Sequence, residues 1–205
     1  MSIEPARKRR ANRVTTKGKD RGQMRPFSLE QVVKLERYLQ SEGSRTSIRD
    51  LALFRVGVDT MLRSSDLVAL TLRSVCPNGE MGGKIAVKQK KTGKLIHCEI
   101  EPKTQTVLKH WLAINPTMQP DDRVFAITTR QHQRIVDGWC DALGLDKTLY
   151  STHSIRRTRP SYVYAQTKNI AAAQRMLGHK TSAATSEYLG VNEEEAFAIA
   201  RLYPI

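Results

Sequence analysis

Four residues in the last quarter of the chain have the types and order needed to hold a phosphate and attack it. They are His153 and Arg156 in His153-Ser154-Ile155-Arg156, His179 after Leu177-Gly178, and Tyr188 nine residues further on. An arginine offers a phosphate two hydrogen bonds from a planar fork and stays ionised at any working pH. A tyrosine hydroxyl attacks once a base takes its proton. Its ordinary pKa is near ~10, so the base must be close, and His153 is the best candidate, with His179 as its helper. The chemistry implied is transesterification at a phosphodiester, with the bond energy kept in a phosphotyrosine link, so that rejoining needs no ATP. Taken singly, each residue has a plainer reading. His153 can be a polar helix start, His179 a satisfied turn histidine, Arg156 part of a solvated basic face with Arg157 and Arg159, and Tyr188 a core ring. Their joint order favours one site.

The elements that must position these groups show in the periodicity. Ser28-Leu29-Glu30-Gln31 has the form of a capping box ahead of Val32, Val33, Leu35, Tyr38 and Leu39 at helical spacing. A second helix is predicted from about Ser47 to Thr60. After it, Met61-Leu62-Arg63-Ser64-Ser65-Asp66-Leu67 presents Arg63 at a junction before another brief helix. From Leu70 to Ile100 the pattern is strand-like over 70–75, 84–89 and 95–100, with turns at Pro77-Asn78-Gly79 and Thr92-Gly93, which predicts a three-stranded antiparallel sheet. The tip of its second hairpin carries Lys88, Lys90, Lys91 and Lys94, a charged solvated turn or a phosphate contact. Helices are predicted over 103–114, 129–143, 152–166, 168–177, 181–188 and 193–202, with Pro116, Pro120, Gly144, Gly178 and Gly190 between them. Pro160 inside the 152–166 helix is expected to kink it and to shift the His153–Arg156 turn.

Length and charge narrow the partner. With 205 residues, 40% of them hydrophobic, the chain can bury one core of ordinary domain size. A formal charge of +14 and a pI near 10.0 suit a polyanion. Half of that charge lies in residues 1–25, where nine basic residues, among them Arg7, Lys8, Arg9, Arg10 and Arg13, face only Glu4 and Asp20. Residues 1–26 therefore read as a basic arm, disordered when free, either a solvated tail or a tracker of phosphates. No apolar run approaches a membrane span and no signal-peptide core is present, so a cytoplasmic, nucleoid-associated protein with no membrane partner is expected. Cys76, Cys98 and Cys140 are widely spaced and read as reduced and non-catalytic.

The order His-x-x-Arg, Leu-Gly-His and Tyr resembles the C-terminal signature of the tyrosine recombinases, also called the phage integrase family, from about residue 27 to the C-terminus. The resemblance implies an α+β fold, a mostly helical catalytic domain over 27–190 with the small sheet. It matches Arg63 to the family's first arginine, in a pattern usually written Gly-Leu-Arg-x-x-Glu-Leu. Here Met61 and Asp66 replace Gly and Glu, and Asp66 keeps a carboxylate to hold the arginine. It also matches Lys91 to a hairpin lysine acting as general acid. The site would then be Arg63, Lys91, His153, Arg156, His179 and Tyr188, cutting DNA through a 3′-phosphotyrosine intermediate with no metal and no cofactor. Lys88, Lys90, Arg157 and Arg159 are expected to contact the DNA backbone alongside the arm.

The resemblance further implies a homo-oligomer on DNA, a tetramer of protomers on two sites, assisted by accessory DNA-bending proteins. The tail helix over 191–205 is either exchanged between protomers or packed on its own domain. The N-terminal clamp domain of many relatives is expected to be lacking, with the basic arm alone ahead of the catalytic domain, as in small recombinases resembling fimbrial phase-switch invertases. The alternatives are a catalytically idle DNA-binding regulator and a topoisomerase-like nicking and resealing activity.

Overall fold

The computed structural model describes residues 24–178, 181–189 and 201. Arg7, Lys8, Arg9, Arg10, Arg13 and His179 lie outside the described residues, as does the 191–205 tail apart from Arg201. Helix α1 (Leu29–Glu42) starts at the expected capping box, with Ser28 and Gln31 bonding each other's backbone N–H groups. Just before it, Phe27 is tied into the domain. Its N–H donates to Thr158 Oγ1 at 3.1 Å, and its ring stacks on Tyr150 at 5.0 Å and meets Phe54 edge-on at 5.9 Å.

Helix α2 (Arg45–Thr60) is the central element. Every residue from Asp50 to Thr60 is buried, the pattern of a helix covered on all sides. It packs against α1, α5 (Pro102–Ala113) and α7 (Thr152–Thr167). Gly57 permits a close approach to α7, since a Cβ there would stand 2.8 Å from Ile155 Cγ2. Met61 ends α2 in the left-handed region at φ 51°, where glycine is favoured.

The sheet has two strands, where three were expected. Strands β1 (Lys84–Lys88) and β2 (Leu95–Glu99) pair antiparallel, with Ile85 opposite Cys98 and Val87 opposite Ile96, and the turn closes through Gly93 at φ 68°. The predicted first strand, 70–75, is instead a single bridge at Thr71 to Arg123 followed by a one-turn helix, α4 (Leu72–Val75). The cause is local. Thr71 and Ser74 form a reciprocal capping box, which starts a helix where the apolar alternation alone suggests extension.

Helix α3 (Ser64–Leu67) follows the Arg63 junction, and α6 (Thr129–Ala142), α8 (Ile170–Leu177) and α9 (Ser182–Leu189) complete the described elements. Helix α7 starts at Thr152 under a Ser151 cap and stays helical through buried Pro160 to Thr167, so the expected displacement of the His153–Arg156 turn does not occur. Proline removes only the bond to the carbonyl of residue 156, and the buried run from Ser154 to Thr158 holds that stretch of helix against α2. Among the described residues no helix is long and apolar enough to cross a membrane.

Candidate active site

Arg156 stands where three elements meet. From α7 its Nη1 donates to the Met61 carbonyl at the end of α2, and its Nη2 donates to the Leu177 carbonyl at the end of α8, at 2.6 Å. The Tyr188 phenol of α9 lies within electrostatic reach of the same guanidinium. Both carbonyls come from helix ends, where the last C=O groups lack partners within their own helix. Arg156 is only 4% exposed, so the direction of its fork is set by these distant backbone groups.

Arg63, Lys91, His153 and Arg157 lie within electrostatic reach of this centre. Although His153 is exposed as a residue, partial loss of water around its imidazole pushes it below its ordinary value of 6.5, and the charges of Arg156, Arg63, Arg157 and Lys91 push it the same way. The ring is therefore neutral at pH 7 and can accept a proton. The Tyr188 phenol is pushed up by burial, against the pull of Arg156, Arg157 and Arg63. Left alone it keeps its proton at neutral pH. Arg63 Nη1 is a buried donor with no hydrogen-bond acceptor among the described residues. A buried, unpaired guanidinium nitrogen is costly unless an anion supplies the missing acceptor.

Asp66 does a different task from the one its position suggested. Its Oδ1 accepts the N–H of Lys90 at 2.9 Å, so this carboxylate, 2% exposed, pins the turn that carries Lys91. Lys88, Lys90 and Lys91 are exposed at that turn, as expected. Arg157 and Arg159 are placed otherwise than as open backbone contacts. Arg157 is 5% exposed with its guanidinium 4.7 Å from the Tyr188 ring centroid. Arg159 pairs with Glu101 at 2.7 Å and Asp59 at 3.4 Å. The cysteine thiols stay protonated, since burial pushes Cys98 and Cys140 up to about 11.

One neighbour of the site gave no signal in the sequence. Ser64, next to Arg63, meets His132 Nδ1 of α6 at 2.9 Å, and His132 is 1% exposed. Burial lowers its pKa from 6.5 to about 4. The unfolded chain therefore binds a proton that the folded one refuses between these values, and stability is lost as pH falls through that window. From pH 7 to pH 5 the loss assignable to His132 is expected to be about 2 kcal/mol. Urea unfolding at both pH values checks this: His132→Asn, which can still meet Ser64, should lack that part of the slope. An unchanged slope would refute it.

The chain is similar to known proteins over most of its length. The phage integrase family matches residues 25–195. The chain is 27% identical over 183 residues to the probable integrase/recombinase YoeC of Bacillus subtilis (strain 168), covering 86% of this chain and 94% of that protein. It is 25% identical over 165 residues to the tyrosine recombinase XerC of Actinobacillus pleuropneumoniae serotype 7 (strain AP76), covering 77% of this chain and 51% of XerC, about half the relative's length. Among solved structures, the XerH site-specific recombinase in a pre-cleavage complex with its difH substrate superposes with a TM-score of 0.69 at 18% identity, over 89% of this chain and 55% of that one. The catalytic domain of bacteriophage HP1 integrase gives 0.57 at 16% identity, over 89% and 96%.

Proposed function

The chain belongs to the phage integrase family, and from that premise we propose that it is a site-specific recombinase that cuts and rejoins duplex DNA through Tyr188. The observation that carries this reading is that Arg63 and Arg156 act on both the half-buried Tyr188 phenol and the His153 imidazole, with Lys91 within electrostatic reach of His153. Arg63, with its unpaired buried nitrogen, and Arg156 would grip the scissile phosphate. The Tyr188 hydroxyl gives its proton to neutral His153, its oxygen bonds to phosphorus, and the bond from phosphorus to the 5′ oxygen breaks. Lys91 protonates that departing oxygen. The products are a 3′-phosphotyrosine and a 5′ hydroxyl, and attack by a new 5′ hydroxyl reverses the step. His179, matched by its motif, would assist His153.

The formal charge of +14 supports duplex DNA as partner. Assembly as a tetramer on two sites, help from DNA-bending proteins, and residence on the nucleoid belong to the same proposal. The test is covalent capture. Purified protein is incubated with sheared genomic DNA from its source and denatured in detergent, and protein-linked DNA is collected. Wild type is expected to yield adducts and Tyr188→Phe none. Equal yields from the two, or none from wild type, would overturn the reading.

A further inference from the structure

Consecutive residues of a helix point about 100° apart, so Arg156 and Arg157 leave α7 in different directions. Both nevertheless end on Tyr188. Arg156 acts electrostatically on its phenol, and Arg157 lies over the face of its ring, 4.7 Å from the centroid. Arg157 is 5% exposed, and a cation over an aromatic face is held more strongly when water is excluded. A backbone contact to DNA would call for an open guanidinium, which this burial does not provide.

We propose that Arg157 is a positioning residue, whose guanidinium seats the Tyr188 ring for attack and stabilises the negative charge that builds on its oxygen. This rests on the reading of Tyr188 as nucleophile. Among the described residues the charged groups facing Tyr188 are Arg156 and Arg157 from α7 and Arg63 from the junction before α3. His153 and Lys91 face the same arginine cluster. Of these, Arg157 is the one over the π face. Its charge opposes the upward push of burial on the phenol.

The test uses the full chain and a duplex recovered from the captured adducts, with sulfur replacing the 5′ bridging oxygen at the cut, so that departure needs no acid. The rate of adduct formation is followed at saturating DNA across pH for wild type, Arg157→Gln and Arg157→Lys. Arg157→Gln is expected to be about tenfold slower at neutral pH, to recover as pH rises, and to show its rising limb about one unit higher. Arg157→Lys, which keeps the charge, should restore most of the rate. A uniform loss at every pH would mean a merely structural role, and an unchanged saturated rate with weaker, more salt-sensitive binding would mean a DNA contact. Either outcome overturns the proposal while leaving Tyr188 as nucleophile. Absence of adduct from wild type would sink both.

Discussion

Arg156→Met is expected to lower adduct formation by at least about a hundredfold, because the developing charge on the phosphate oxygens loses its best oriented donors. Its effect on stability should be much smaller. Removing the guanidinium orphans the Met61 and Leu177 carbonyls, at about 1–3 kcal/mol for each buried unsatisfied group. Against this, the native protein holds a buried cation beside the like charge of Arg63, a cost of several kcal/mol that the variant escapes. The net loss should be about 1–2 kcal/mol, so the variant stays folded and the assay reports chemistry. Arg156→Lys separates charge from shape. A single ammonium cannot span both carbonyls and still present a fork to phosphate, so it should be nearly as inactive. Near-wild-type cleavage by the lysine variant would show that the fork is not what matters.

The largest effect on stability is expected at Glu36. Its carboxylate, with a side chain 7% exposed, joins Arg55 at 2.7 Å and Lys103 at 2.6 Å, and Arg55 also reaches Thr104 and Glu101. Glu101 continues to Arg159 on α7, so the network links α1, α2, α5 and the helix that carries Arg156. Glu36→Leu leaves Arg55 buried without its main partner and should cost about 3–5 kcal/mol. In a chain of this size that lowers the melting temperature by roughly 10 °C. The double variant Glu36→Leu with Arg55→Met should regain much of the loss, since Lys103, with 61% of its side chain exposed, can turn to water. Calorimetry of both decides. If the double variant is as unstable as the single, lost packing and not an uncompensated charge is responsible.

Much of the architecture could be read from local chemistry. Ser28 with Gln31 marks a helix start within four residues, and the structure keeps it. Chain order also singled out His153, Arg156, His179 and Tyr188, while Arg63 and Lys91 came from the family resemblance. The exception, Thr71, shows where such reading fails. Two local signals competed there, apolar alternation and a Thr-x-x-Ser cap; the reciprocal cap prevailed, and the N–H groups of Leu72 and Arg73 bond carbonyls of Asp122 and Pro120.

What the sequence determined by itself is therefore the chemical inventory and most helix boundaries, because caps and periodicity act over a few residues. Only the tertiary structure decided what each side chain serves. Arg156 is aimed by a carbonyl 95 positions away, Asp66 holds the backbone of Lys90, and Arg157 lies on the Tyr188 ring instead of facing outward. These directions depend on which helix ends and turns pack together, and burial then fixes them, since a polar group withdrawn from water must take whatever partner the fold brings within reach.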